Sequence, residues 1–149
     1  MPLLSNSVCV KYTPEQMYEL VNDVESYPRY LPLCSKVTVL DKDSNQLRAT
    51  ITLSKGKIKL TFTTANSMEQ GRQINMKLVD GPFKRLSGVW RFRPSGNGGC
   101  ETSFELDFEF SNSLLSLAFG GFFKEVAESF VDAFCRQAAV RYGSSAAPA

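Results

Sequence analysis

Phe104-Glu105-Leu106-Asp107-Phe108-Glu109-Phe110, followed directly by the long stretch from Asn112 to Tyr142, decides the reading of this chain. In the first segment every second residue is apolar and every intervening one is acidic. That period of two belongs to a β-strand with one buried face and one wet face. In the second segment Leu115, Phe119, Phe122, Val126, Phe130 and Phe134 recur at helical spacing. Lys124, Glu125, Glu128, Asp132 and Arg136 fall largely on the opposite side, so one amphipathic helix is predicted from about Asn112 to Tyr142. Gly120-Gly121 weakens its first turns and is a candidate kink.

Upstream, the same period of two repeats. Val8, Val10 and Tyr12 open a first strand. Thr13-Pro14-Glu15-Gln16 reads as an N-cap, a proline at the first helical position and a capping-box glutamine, so a helix is predicted from Pro14 to about Asp23. Tyr27-Pro28 through Leu31-Pro32 allows one further helical turn. Strands then follow around Val37 and Val39; Leu47, Ala49, Ile51 and Leu53; Ile58, Leu60 and Phe62; Ile74, Met76 and Leu78; and Leu86, Trp90 and Phe92. Asp43-Ser44-Asn45, Gln70-Gly71 and Ser95-Gly96-Asn97-Gly98-Gly99 supply turns. About seven strands result.

The expected architecture is α+β: a curved antiparallel sheet whose apolar face is covered by the long C-terminal helix, with two short helices near the N-terminus. A chain of 149 residues makes one domain. The domain is expected over 1–143, with a frayed, disordered tail at 144–149. Small residues at positions read as inward (Ala49, Gly56, Gly88, Ala118 and Gly120) could leave a void among the aromatics. Close packing, the general rule for interiors, favours a core filled by phenylalanines.

Charge is nearly balanced, at +2, but unevenly spread. From Lys36 to Arg93 there are twelve Lys/Arg and four Asp/Glu; from Glu101 to Asp132 there are seven acids and one lysine. One part of the surface is therefore basic and another acidic. Lys55, Lys57 and Lys59 are read as lying on one strand face, with Arg48 and Lys77 on neighbouring strands. A solvated face is the plain reading; a phosphate surface, lipid or RNA, is the functional one. Arg91 and Arg93 are expected to pair across strands with Glu105 and Asp107. No DNA partner is expected.

The chain has no histidine, and Cys9, Cys34, Cys100 and Cys135 form no CxxC pair, so no zinc or other metal site is expected. The lack of histidine removes the commonest general base, and no phosphate-binding or dinucleotide fingerprint is present, so no catalytic residue is assigned. Met1-Pro2-Leu3-Leu4-Ser5-Asn6 lacks the charged and apolar regions of a signal peptide. A cytoplasmic protein with reduced, buried thiols is expected, with peripheral contact at the inner membrane as an open alternative.

Several motifs converge on one family. Asp80-Gly81-Pro82-Phe83-Lys84-Arg85-Leu86, then Gly88, Trp90 and Phe92, resembles the central motif of the coenzyme Q-binding START-like family, of polyketide cyclase/dehydrase type. Leu20-Val21-Asn22-Asp23-Val24, Tyr27-Pro28, Leu31-Pro32, Cys34, Phe62-Thr63-Thr64, Leu106-Asp107-Phe108-Glu109-Phe110 and Ala133-Phe134 match as well, so the resemblance runs from Met1 to about Tyr142. Leu33, where relatives often carry Trp or Gly, and Gln137, where they often carry Arg, depart from it.

The resemblance implies a helix-grip fold, no enzymatic activity and a tunnel for a hydrophobic ligand. In mitochondrial relatives the ligand is ubiquinone and the role respiratory. Bacterial members include ribosome-association toxins, which bind the large ribosomal subunit and block its union with the small one. The candidate ligand wall is Phe83, Leu86, Trp90 and Phe92 on one strand, Phe104 and Phe108 on the next, and Leu115, Phe119, Phe122 and Val126 on the helix. Trp90 reads equally as a core residue and as a wall for a quinone ring and its isoprenoid tail. Asp80-Gly81-Pro82-Phe83 reads equally as a plain turn and as a tunnel lip with Phe83 as its gate. Lys55, Lys57 and Lys59 are the candidate surface contact.

Overall fold

The computed structural model describes residues 3–31, 33–96 and 98–143. The tail expected at 144–149 lies outside them. The chain forms β1 (Leu3–Val10), α1 (Pro14–Asn22), α2 (Tyr27–Tyr30) and then six strands in succession. These are β2 (Cys34–Lys42), β3 (Gln46–Lys55), β4 (Ile58–Glu69), β5 (Gln73–Asp80), β6 (Phe83–Pro94) and β7 (Cys100–Phe110), followed by α3 (Ser113–Tyr142). A single turn of 3₁₀ helix, Val24–Ser26, joins α1 to α2.

The capping box at α1 forms as its sequence dictates. The Thr13 hydroxyl accepts from the Gln16 backbone N–H at 3.1 Å, and the Gln16 side chain accepts from the Thr13 N–H at 2.9 Å. Asn112 caps α3 by accepting from the Leu115 N–H at 2.9 Å. Despite Gly120-Gly121, α3 runs unbroken for 30 residues. β1 begins at Leu3, before the apolar alternation starts. It is an edge strand, extended by backbone pairing with β7 from Leu4 opposite Leu106 to Val10 opposite Cys100. Tyr12, read as part of that strand, lies beyond it, buried, with its hydroxyl donating to the Gly143 carbonyl at 3.1 Å.

The seven strands form one antiparallel sheet in the order β1-β7-β6-β5-β4-β3-β2. β2 to β7 are a simple meander, and α1 and α2 carry the chain from the β1 edge to the β2 edge. Bulges in β2, between the paired positions Cys34 and Lys36 and again between Val39 and Asp41, and at the starts of the β4–β5 and β6–β7 pairings, bend the strands. The resulting concave face wraps α3. At its far end α3 meets α1, where the Tyr142 hydroxyl donates to the Gln16 carbonyl at 2.9 Å.

Gly81 shows why the turn between β5 and β6 needs its glycine. Its φ is +148°, and an added Cβ would stand 2.7 Å from the Phe62 Cβ. Of the small residues read as inward, Ala49 and Gly88 face the core. Gly56 sits at φ +61° in the β3–β4 turn, Ala118 is exposed on the outer side of α3, and Gly120 is half-buried at a groove. Ile58 has the inward parity of Leu60 and Phe62, yet as the first residue of β4 it is 37% exposed.

On the convex face β6 and β7 exchange ion pairs. Arg91 meets Glu105 at 3.1 Å as expected. Asp107, however, is taken by Arg85 at 2.9 Å, and Arg85 also holds Glu109. The register explains the change. Arg85 stands opposite Glu109 and diagonal to Asp107, whereas Arg93 stands opposite Glu101. The hydrogen bonds from Arg85 hold the Asp107 carboxyl below its ordinary range. The cysteines are free, but only Cys34 and Cys100 are buried; Cys135 is half-buried. Cys9 is exposed because its odd position on β1 points outward from the sheet.

Candidate functional site

β6 and β7 bury eight aromatic and aliphatic side chains on the concave face, and the ring geometry shows how they pack. Trp90 stacks on Phe104 with centroids 4.3 Å apart and meets Phe134 of α3 edge-on at 5.1 Å. Nearer the start of α3, Phe83 stacks on Phe110 at 4.6 Å and tilts against Phe123 at 5.1 Å. Offset-stacked and edge-to-face pairs of this kind fix ring positions more tightly than area burial alone.

Between sheet and helix a cavity of about 50 Å³ remains. It has room for a few water molecules, far below the roughly 300 Å³ of the smaller ligand pockets. The interior is thus largely filled by its own side chains.

Of the ten predicted wall residues, Leu86, Trp90 and Phe104 line this cavity. Phe83, Phe92, Phe122 and Val126 are buried in the surrounding core, and Phe108 belongs to a separate groove beside the start of α3. Leu115 and Phe119 are half-buried near that start. From the helix the lining residues are instead Phe123, Phe130 and Phe134. Adjacent residues on a helix point 100° apart, so Phe122 and Phe123 are both buried while only the second faces the cavity. From the sheet, Ile51, Leu53, Phe62, Met76 and Leu106 complete the wall. Their inward parity was readable from the alternation. Their convergence depends on the curl of the sheet.

A third group, Tyr27, Leu31 and Cys34, closes the wall from the α2 segment. The Tyr27 hydroxyl donates to the Val21 carbonyl, and burial raises its pKa. Burial likewise pushes the Cys34 thiol up to about 11, so it stays neutral and apolar at physiological pH. Tyr30 packs on Tyr27 and Phe134, and its buried hydroxyl has no hydrogen-bond partner among the described residues. Leu33 adopts a left-handed backbone, φ +65°, which glycine takes at no steric cost.

The basic run does not share one strand face. Lys55 ends β3, Lys57 lies in the tight turn and Lys59 begins the outward row of β4. Lys55 also meets Glu125 of α3 at 3.4 Å. The outward rows of β2 to β5 gather a different set. Arg48 and Lys77 both stand opposite Ala65, and Lys36 stands opposite Thr52. Together with Lys59 these cations sit among the hydroxyls of Thr50, Thr52, Thr61 and Thr63. None of the four has an ion-pair partner among the described residues. No carboxylate is buried among the described residues.

Known proteins share this arrangement. Residues 10–135 match the family described as polyketide cyclase / dehydrase and lipid transport. The ribosome association toxin RatA of Escherichia coli (strain K12) is 46% identical over 144 residues, covering 97% of this chain and 91% of that protein. The mitochondrial coenzyme Q-binding protein COQ10 homolog B of Xenopus laevis is 32% identical over 148 residues, covering 97% of this chain and 61% of that protein. Among solved structures, the Zhui aromatase/cyclase from Streptomyces sp. R1128 superposes with a TM-score of 0.82, each chain covered to 99%, at 15% identity, which shows a shared fold alone. With its helix-grip fold and a family match over most of its length, the chain belongs to the polyketide cyclase / dehydrase and lipid transport family.

Proposed function

We propose that this protein associates with the ribosome as a non-catalytic factor and blocks the joining of the two subunits. The observation that carries this reading is the 46% identity, over 97% of the chain, to a protein named ribosome association toxin. The cations Lys36, Arg48, Lys59 and Lys77, which have no ion-pair partner among the described residues and are set among threonine hydroxyls, supply a surface suited to RNA phosphates. The mechanism is steric: the convex face of β2 to β5, with Lys55 and Lys57 at its border, docks on the large subunit where the small one must approach. A chain without histidine, in which no carboxylate among the described residues is buried, supports a role without catalysis.

Sucrose-gradient sedimentation of purified subunits, with and without the protein, tests this at two salt concentrations. Wild-type protein is expected to keep the subunits apart. Arg48→Glu, Lys59→Glu and Lys77→Glu combined should reduce the salt slope of binding by about three units, one per phosphate contact. Subunit joining unchanged by a large excess of protein sinks the proposal. Equal blocking by the triple variant keeps the role but rejects the face.

A second reading is favoured by the cavity and by the 32% relative named as coenzyme Q-binding: an apolar ligand, a polyprenyl quinone by chemistry, enters between the sheet and α3. At about 50 Å³ the cavity must open, and Phe123, Phe130 and Phe134 must give way together. Tyr30 packs behind the cavity-lining Tyr27 and Phe134, and a quinone carbonyl reaching its hydroxyl would satisfy a buried donor that has no partner among the described residues. Protein purified from a quinone-producing host should release a quinone detectable by mass spectrometry. Added quinone at about a hundredfold its Kd should stabilise by about 2.7 kcal/mol, with a rise of about 2–4 °C in Tm per kcal/mol. Absence of both effects removes this reading.

A further inference from the structure

Between Glu109 and Lys124 no residue is charged. The inward side of this stretch is accounted for, since Phe122 and Phe123 are buried and Leu115 and Phe119 half-buried. The outward side is not. Leu114 is 75% exposed and Leu117 84%, and Ala118 and Gly121 beside them are exposed as well. Residues three and four apart share a helix face, so these form one outward apolar patch over the first two turns of α3. Further along, the same face carries Glu125, Glu128 and Asp132, as a solvated helix should. The fold needs nothing apolar on the outward side of these first turns.

The strand turns at this end add to the patch. The Ser111 N–H donates to the Pro82 carbonyl at 3.0 Å, fixing the β5–β6 turn beside the start of α3. Lys55 reaches Glu125, tying the end of β3 to the helix. Val79, near the end of β5, is 47% exposed. Lys84 and Lys124 line a common groove with Leu117, and Lys57 projects from the β3–β4 turn. Lys57, Lys84 and Lys124 are exposed and have no acid partner among the described residues. Of the nearby carboxylates, Glu109 lines the same groove but is taken by Arg85, Glu125 is occupied by Lys55, and Asp80 and Glu128 lie at the edge.

We infer that this end of the molecule docks on a lipid bilayer with anionic headgroups, Leu114 and Leu117 entering the interface and Lys57, Lys84 and Lys124 meeting headgroup phosphates. Aliphatic side chains ringed by lysines suit that surface, because lysine stems lie along apolar surface while their ammonium groups stay among the phosphates. Single-stranded RNA is instead gripped by exposed aromatics, and this patch has none. A second copy docked about a two-fold axis would bring the lysine ring against itself. Among the described residues no helix is long and apolar enough to cross a membrane, so the contact lies at the surface. Lys57 borders both surfaces, but Leu114, Leu117, Lys84 and Lys124 lie apart from Lys36, Arg48, Lys59 and Lys77, and docking through them depends on neither the ribosome nor the quinone reading.

Flotation with vesicles tests it. Wild-type protein should float with vesicles of phosphatidylcholine and phosphatidylglycerol, and much less with phosphatidylcholine alone. Lys84→Gln and Lys124→Gln should each weaken binding roughly fivefold, and added salt should weaken it further. Leu114→Ser with Leu117→Ser should weaken it more than about tenfold without changing Tm, since both side chains are exposed, and without changing ribosome sedimentation. Three results would overturn the inference: wild-type protein that stays off anionic vesicles, a leucine variant that floats as well as wild type, or a leucine variant that turns a dimer into a monomer in gel filtration and loses no vesicle binding.

Discussion

Replacing Trp90 by Ala is expected to lower stability by about 3–5 kcal/mol, the range for deleting a large buried aromatic. The residue is 3% exposed, stacked on Phe104 and met edge-on by Phe134, so its removal leaves a hole touched by both the sheet and α3. Domains of this size have total stabilities of about 5–15 kcal/mol, so the variant retains from almost none to about four-fifths of that stability. Urea unfolding followed by far-ultraviolet circular dichroism checks it, because the chain's only tryptophan is gone from the variant. The midpoint should fall with the slope unchanged. Trp90→Phe, which refills most of the volume, should recover a large part of the loss. A loss below about 1 kcal/mol for Trp90→Ala would mean that the wall is loose.

Phe83→Ala carries the second large effect, at a position where the sequence left a plain turn and a gated tunnel lip equally open. A mobile gate at a tunnel lip would tolerate truncation. Phe83 is instead 5% exposed, stacked on Phe110 and packed edge-on against Phe62 at 5.7 Å. The expected loss is again about 3–5 kcal/mol. Measured beside Trp90→Ala, comparable losses establish Phe83 as a wedge between sheet and helix. A loss several-fold smaller would restore the gate. If a quinone does enter the cavity, Trp90→Ala should alter its affinity, since Trp90 lines the cavity and Phe83 stands one ring away.

The two substitutions mark where reading the sequence stopped short. Both residues face inward on β6 and both read as candidate ligand wall, but Trp90 follows the alternation of Leu86 and Phe92 whereas Phe83, of the opposite parity, is brought to that face by the bulge between Phe83 and Arg85. What separates them is the helix: Phe134 reaches Trp90 beside the cavity, while Phe123 closes over Phe83. A period of two assigns a face. It does not assign a neighbour on another element, because that depends on strand curvature and on the angle at which the helix crosses the sheet. The basic surface failed for a related reason. Lys55, Lys57 and Lys59 share parity along the chain, but Gly56 reverses the chain between the first and second of them. Arg48 and Lys77, far apart in sequence, meet across Ala65.

The sequence by itself determined the strand count, the long amphipathic helix with its asparagine cap, the capping box of α1, the glycine-dependent turn at Gly81 and the family, since each rests on local periodicity, local hydrogen bonding or a contiguous motif. Only the tertiary structure decided that the interior is nearly filled, that Phe123 faces the cavity where Phe122 does not, which cations stand unpaired, and that Leu114 and Leu117 are left on the outside. Those outcomes follow from side chains of distant segments competing for one space between a curved sheet and a helix, and such competition is settled by three-dimensional packing.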